Sequence, residues 1–275
     1  MIRNHPLVFL SLSLYALFNI ACLIWLIASS FKSSGEIMTS SPWALPEEAK
    51  WSNFADAWTI GHMGTYLMNS VTVTVVATFV VLVLGSLSGY ILGKVKFPGV
   101  NLVKTLFVAA MIIPPFALVV PLFEVLSKAS LLDTRTGLIV VYIAMELPMT
   151  TFILTSFHET LPRELEESGA IDGASPFQIF RSIVLPLTSS AVIACAVVNV
   201  LHIWNEFIYA LTFLSRDETY TLAVGIFKLS QLADYSSNWS ILFAGMVVSI
   251  LPILLFFILF QKSFSAGLSQ GALKL

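Results

Sequence analysis

Hydrophobic residues come in long runs along this chain, and polar residues gather between them. Six runs reach the roughly 20 residues that an apolar helix needs to cross a bilayer. They lie at about 7–31, 66–93, 101–126, 137–157, 187–212 and 240–261. The pattern predicts an all-α membrane protein, one transmembrane domain over 1–275 with six spanning helices. The first run has a basic flank, Arg3, as a signal peptide does. It is longer than a typical h-region and no clean A-x-A site follows it, so it reads as a retained span.

Composition agrees with the pattern. Hydrophobic residues make up 57% of the chain and charged residues 11%, against about 25% charged in a soluble domain. Mean hydropathy is +0.89. Such a surplus of apolar side chains cannot be buried in one water-soluble core. The net charge of −2 carries little weight, because a membrane chain is judged loop by loop. Cys22 and Cys195 both fall in apolar runs and make no disulfide or metal spacing; they read as small packing residues.

Orientation follows from Lys and Arg. One set of span ends carries Arg3, Lys94, Lys96, Lys104, Arg163, Arg181, Lys262 and Lys274; the other carries Lys32, Lys50, Lys128, Arg135, Arg216 and Lys228. The cluster Lys94, Lys96 and Lys104 in one short loop sharpens this bias and places both termini in the cytoplasm. The long outer loop at about 32–65 then holds Trp43, Trp51 and Trp58, at the depth where aromatics anchor in the interface.

Several features inside the runs predict packing or a pathway. Gly85, Gly89 and Gly93 are four apart and line one helix face, which lets a neighbouring helix approach closely. Pro114, Pro115 and Pro121 in span three, Pro148 in span four and Pro252 in span six predict broken helices. Glu124 and Glu206 lie near outer ends. Glu146 lies near the middle of span four, where a charge costs roughly 2.5–3.5 kcal/mol on insertion scales. A partner or a watery path is therefore expected beside it. Span five adds Asn199, His202 and Asn205, with 199, 202 and 206 on one face. Glu146, Asn199, His202 and Asn205 are the candidate pathway residues.

No catalytic or metal constellation is legible. His5, His62, His158 and His202 are scattered, with no H-E-x-x-H and no G-x-S-x-G. Gly89 to Lys94 is one residue short of a phosphate loop, and Val95 stands where Ser or Thr would bind magnesium. No basic-aromatic pattern suggests nucleic acid.

Between spans four and five the chain turns polar. Residues 162–170, PRELEESGA, have Pro162 at a helix start and acids in the first turns, which suits the helix dipole. Asp172-Gly173 is a turn signal. SPFQ opens a second helix: Ser175 caps it, Pro176 takes the first position and Gln178 completes a capping box. Phe177, Phe180, Ile183 and Val184 form an apolar stripe, and Leu185-Pro186 ends the helix. A short amphipathic helix with few Lys or Arg on its flanks suits a groove in a partner protein better than a lipid surface.

On these residues the chain resembles the inner-membrane permeases of binding-protein-dependent ABC importers. Their EAA loop has a Glu, two small residues, then a Gly, then Ile-x-Leu-Pro. Glu167 starts it here, Gly173 follows, and Ile183, Leu185 and Pro186 fall in register. Ser168 and Gly169 replace the two alanines, at a helix cost of about 1 kcal/mol for Gly169. MNSVTVT, WNEFIYALTFL at 204–214 and the tail FQKSFSAGLSQGALKL are similar to the maltose-type, carbohydrate-importing branch, though the tail ends GALKL where the branch ends near GavKG.

The resemblance implies a specific assembly. The loop 158–186 becomes a coupling loop, with Glu167, Ser168, Gly169, Asp172, Gly173, Ala174, Ser175 and Pro176 docking on the ATPases. A second homologous permease, two ATPase subunits and an extracytoplasmic substrate-binding protein are the implied partners, in a bacterial-type inner membrane. ATP and magnesium would bind the ATPases, with no cofactor in this chain and no enzymatic activity of its own. The loop at about 213–239 would reach toward the binding protein. A sugar or oligosaccharide is the implied cargo. A glycerol or polyol phosphate stays open, although the spans offer no basic groups for it. An ion-coupled secondary transporter also stays open, compatible with Glu146 and the prolines but lacking an obvious internal repeat.

Overall fold

The computed structural model describes residues 6–272, with side chains over 7–261. Among the described residues all regular structure is helical. The chain runs through α1 (Pro6–Ser30), α2 (Ser34–Thr39), α3 (Ser52–Thr59), α4 (Met63–Lys94), α5 (Val100–Ile112), a 3-10 turn (Pro115–Leu118), α6 (Val119–Lys128) and α7 (Arg135–Glu159). It continues through α8 (Glu164–Ile171), α9 (Pro176–Ile179), a π turn (Phe180–Val184), α10 (Leu185–Leu187), α11 (Ser189–Asn205), α12 (Ile208–Phe213), α13 (Leu222–Ser236) and α14 (Trp239–Ala272). Contacts of the tail with an ATPase, and the basic residues Arg3, Lys262 and Lys274, lie outside the described side chains.

Four helices are long and apolar enough to cross a membrane: Leu7–Ser30, Met63–Lys94, Arg135–Glu159 and Trp239–Gln261. Two bent pairs bring the total to six if each is one span: Val100–Ile112 with Pro115–Lys128, at 97°, and Pro176–Leu187 with Ser189–Asn205, at 75°. The 97° bend has a local cause. Pro114 and Pro115 remove two successive amide donors, Pro114 is extended, and the chain restarts with Pro115 in first position. Pro121 sits in the first turn of α6, where a missing N–H breaks no helical bond.

Three expectations are corrected. The run at 187–212 is not one helix. Glu206 is extended, and its carboxylate accepts from the Tyr209 and Ala210 amides at 2.8 and 3.1 Å, so it closes α11 and caps α12. Pro148 and Pro252 do not break their helices; α7 and α14 run through both. The carbonyl freed by Pro148 belongs to Ala144, which lies on a cavity wall, where water can take that bond. Finally, Leu185-Pro186 does not end the loop's second helix. The backbone widens to a π turn before Pro186 and goes on to Leu187, and the bend falls at Thr188. A wider turn there moves the i−4 carbonyl away from the proline ring.

The described chain divides into two compact units, residues 1–67 with 221–252, and residues 68–220 with 253–275. The first is tied by aromatic edges and small polar contacts. Trp25 meets Phe243 at 5.4 Å between ring centroids, and Phe31 meets Trp51 at 4.8 Å. Asn53 donates to the carbonyls of Ser30 and Lys32, both at 2.8 Å. Asn238 accepts from the Ser34 hydroxyl at 3.2 Å and from the Ser240 hydroxyl at 3.0 Å, so residues 238–240 form a hydrogen-bonded corner of this unit.

The second unit is organised by the glycine face of α4. A methyl group on Gly85 would lie 2.7 Å from Thr150 Cγ2, and one on Gly93 would lie 3.0 Å from the Thr155 carbonyl oxygen. The stripe predicted from sequence therefore brings α4 and α7 together, backbone close to backbone. Ser88 and Thr151 share a 2.8 Å hydrogen bond across the seam. Leu154, which also meets Gly89 on this seam, packs with Ala191 and Cys195 of α11. The free thiol of Cys195 is buried there, as its apolar run predicts.

Candidate functional site

The polar loop folds as two short helices held back to back. α8 starts at Glu164 with Arg163 as its N-cap, two residues later than Pro162 suggested. It ends in a Schellman motif: Gly173 N–H donates to the Ala170 carbonyl at 3.1 Å, and Ala174 N–H to the Gly169 carbonyl at 3.0 Å. Gly173 has φ +81°, a left-handed conformation that glycine adopts at little cost. Ser175 Oγ accepts from the Gln178 amide, Gln178 Oε1 accepts from the Ser175 amide at 2.7 Å, and Pro176 holds first position. The capping box is the one the sequence predicts.

The faces of this loop differ sharply. Ile179, Phe180 and Val184 are buried with Leu87, Tyr90, Leu161 and Ala174. Phe177 is 61% exposed and stands outside the stripe assigned to it. Gly169 is buried: a methyl group there would lie 2.9 Å from Ile183 Cδ1 and 3.2 Å from Ile179 Cγ1. Its smallness serves contact between the loop's own helices. Glu167, Ser168, Asp172, Gly173, Ser175 and Pro176 are exposed, and Ala174 is half-buried. Ile171, at 87% exposure, stands beside them. The outward surface thus combines carboxylates with bare apolar side chains.

A second set of residues, absent from the candidate residues read from sequence, fastens the loop to the spans. Lys94, the last residue of α4, puts its ammonium 3.1 Å from Glu166 Oε1 and donates to the Leu161 carbonyl at 2.6 Å. The Tyr90 hydroxyl donates to Glu166 Oε2 at 3.3 Å, and the Tyr90 ring lies against Phe180. Lys104 of α5 pairs with Glu159 at the end of α7, at 2.6 Å.

A cavity of about 620 Å³ opens elsewhere in the same unit, walled by the ends of α5 and α11, the 3-10 turn and the middle of α7. Three of the four pathway candidates line it: Glu146, His202 and Asn205. His202 Nδ1 lies 3.5 Å from Glu146 Oε2, the partner a mid-span carboxylate calls for. Asn199 is elsewhere. It is buried, donates to Thr150 Oγ1 at 3.1 Å and accepts from the Thr150 hydroxyl at 3.3 Å. It ties α11 to α7.

The sequence put Glu206 near an outer span end, on one face with residues 199 and 202, and gave no sign of Tyr142 or Tyr209. Glu206, Tyr142 and Tyr209 all line the cavity. The Tyr142 hydroxyl donates to Glu206 Oε2 at 2.6 Å, and the Tyr209 hydroxyl to the Pro115 carbonyl at 2.8 Å. The break at Glu206 makes this arrangement, and no local motif announced it. The wall presents carboxylates, an imidazole, amide and phenol groups among methionine, leucine and proline, with no Lys or Arg. Such a lining offers acceptors and donors to hydroxyl groups and repels anions.

Near the end of α6 and α12, Asp133 gathers another network. Its Oδ1 accepts from the Ser215 and Arg216 amides at 2.9 and 3.2 Å and from the Thr219 hydroxyl at 2.8 Å. Arg216 Nε donates to Oδ2. Partial burial pushes the carboxyl up, but these hydrogen bonds outweigh it and hold Asp133 well below the usual carboxylate range. Asn69 of α4 donates to the Glu218 and Tyr220 carbonyls at 2.8 and 2.9 Å, fixing the same 215–220 segment.

Comparison with known proteins places these features. Residues 81–270 match the family described as "Binding-protein-dependent transport system inner membrane component". The chain is 36% identical to the diacetylchitobiose uptake system permease protein NgcG of Streptomyces coelicolor, over 96% of this chain and 87% of that protein. It is 34% identical to the arabinooligosaccharides transport system permease protein AraQ of Halalkalibacterium halodurans, over 92% of this chain and 90% of that protein. A chain in the crystal structure of a bacterial ABC transporter involved in import of the acidic polysaccharide alginate shares the fold, with TM-score 0.82 and 20% identity over 96% of this chain and 97% of that one. The matched segment contains the two-helix loop, the glycine face of α4 and the whole cavity lining, and the chain belongs to the binding-protein-dependent transport system inner membrane components, the permease subunits of ABC importers.

Proposed function

We propose that this chain forms one half of the translocation path of an ATP-driven importer for a neutral sugar or oligosaccharide, delivered by an extracytoplasmic binding protein. The observation that carries the cargo is the cavity: hydroxyl-matching polar groups and no Lys or Arg, in a chain whose relatives are named for diacetylchitobiose and arabinooligosaccharides. The same lining disfavours a polyol phosphate. The family match gives no support to a carrier driven by an ion gradient.

In this reading a second, homologous permease completes the path, and two ATPase subunits bind ATP and magnesium on the cytoplasmic side. Both termini and the loop 158–186 lie on that side, within one permease domain. The exposed surface of Glu167, Ser168, Asp172, Gly173, Ala174, Ser175 and Pro176 docks into the ATPases, with Gly169 shaping it from beneath. Closure of the ATPases on ATP would rock the spans between two states. The loop at about 213–239 reaches toward the binding protein.

The test is co-purification of the tagged chain in mild detergent, followed by ATP hydrolysis with and without candidate binding proteins loaded with oligosaccharide. Recovery of an ATPase and a second permease, with hydrolysis raised by loaded binding protein, is expected. Recovery of the chain alone, under conditions that preserve a known importer complex, would overturn the reading.

A further inference from the structure

We infer that Lys94 and Glu166 act as one positioning pair that transmits movement of the cytoplasmic loop to the spanning helices. The inference rests on the coupling role proposed above and assigns the mechanical link within it.

Neighbouring acids of α8 have opposite fates. Glu167 is exposed on the outward surface. Glu166, about 100° round the helix, turns inward, and its carboxylate is held at both oxygens by α4, by the Lys94 ammonium at 3.1 Å and the Tyr90 hydroxyl at 3.3 Å. Tyr90 and Lys94 are four apart, so they stand on one face of α4 and grip the carboxylate together. The Lys94 side chain is only 4% exposed and also donates to the Leu161 carbonyl at 2.6 Å, on the segment that leads out of α7. One cation therefore joins the end of α4, the exit from α7 and α8.

What lies behind the pair is stiff. Gly89 and Gly93 bring α4 against α7 so closely that a methyl group would meet Leu154 Cβ or the Thr155 backbone at 3.0 Å. Packed seams of this kind shift as units rather than deform. The far part of α7 carries Tyr142 and Glu146, on the cavity wall. A displacement of α8 is thus passed through Glu166–Lys94 to the α4–α7 pair and to the cavity. The apolar contacts of Phe180 and Val184 keep the loop attached, but they are non-directional and can slide. An ion pair with side chains 4% and 20% exposed, and with Tyr90 on the second oxygen, fixes direction.

The experiment uses the complete complex, both permeases with the ATPases, in proteoliposomes with loaded binding protein. It reads oligosaccharide taken up per ATP hydrolysed for Glu166→Gln, Lys94→Met, their double variant and Glu167→Lys, with subunit co-purification as the check on assembly. Each single change at the pair is expected to lower the ratio roughly fivefold or more, the lower end of coupling between sites. The double variant is expected to be no worse than the poorer single, because both changes break one link. A wild-type ratio in the singles, or losses that multiply in the double, would overturn the pair while leaving docking intact if Glu167→Lys uncouples. A wild-type ratio in Glu167→Lys would instead sink the docking role, and the pair with it. If a charge change prevents assembly, Tyr90→Phe removes only the second grip on Glu166; it is expected to lower the ratio in an assembled complex, and an unchanged ratio overturns the inference.

Discussion

Gly89 lies so close to α7 that a methyl group at its Cα would be 3.0 Å from the backbone nitrogen of Thr155. Backbone cannot step aside as a side-chain tip can. Gly89→Val is therefore expected to force α4 and α7 apart, at about 1–3 kcal/mol for overpacking. Thermal unfolding in detergent checks this. Gly99, with nothing within 4 Å of an added methyl group but φ +89°, is the contrasting site. There only backbone strain opposes an alanine, about 1–2 kcal/mol.

Gly173 makes the same distinction inside the loop. An added methyl group meets nothing within 4 Å, yet φ is +81°. Gly173→Ala should cost about 1–2 kcal/mol locally by opposing the left-handed turn, and Gly173→Asn less, since Asn tolerates that region. Protease sensitivity of 164–187 in the assembled complex should rise in the order wild type, Asn, Ala.

Asn199 and Glu146 look alike in sequence as polar residues in spans, and the fold gives them different work. Asn199→Ala removes a helix-to-helix hydrogen bond, about 0.6 kcal/mol on average in membranes. It should lower thermal stability slightly and leave the concentration dependence of uptake unchanged. Glu146→Gln keeps the shape of the cavity wall but replaces the carboxyl group beside His202 with an amide. A shifted half-saturation for uptake, with stability near wild type, is the expected result. Identical uptake curves for Glu146→Gln and wild type would remove Glu146 from the path.

The Asp133 network gives a pH dependence with a definite sign. A carboxyl depressed in the folded state contributes stability above its unfolded value, about 3.9, and loses it as pH falls through the folded one. Amide protection at Ser215 and Arg216 should stay level from neutral pH down to about 4, then fall below it. Asp133→Asn should loosen the 215–220 segment already at neutral pH, because an amide offers one acceptor oxygen where the carboxylate offers two. Protection that declines between pH 7 and 5 would point to another group.

What is local could be read from the residues alone. Runs of apolar residues set the number of spans, because a bilayer leaves a backbone little choice but helix. Glycines four apart fixed the packed face of α4, and Ser175, Pro176 and Gln178 fixed the start of a helix, because each acts within one or two turns. The family loop was readable for the same reason. What depends on distant partners emerged only with the packing of the helices. Tyr90 and Glu166 are 76 residues apart, and Asn199 and Thr150 are 49 apart. A carboxylate or an amide in a list of residues does not say which neighbour it will meet. Glu206 shows the limit most plainly: an acid near a span end became a helix cap, a Tyr142 partner and a wall of the cavity. In a medium with little water, each buried polar group must find its partner across the fold, and only the packing of helices says where that partner is.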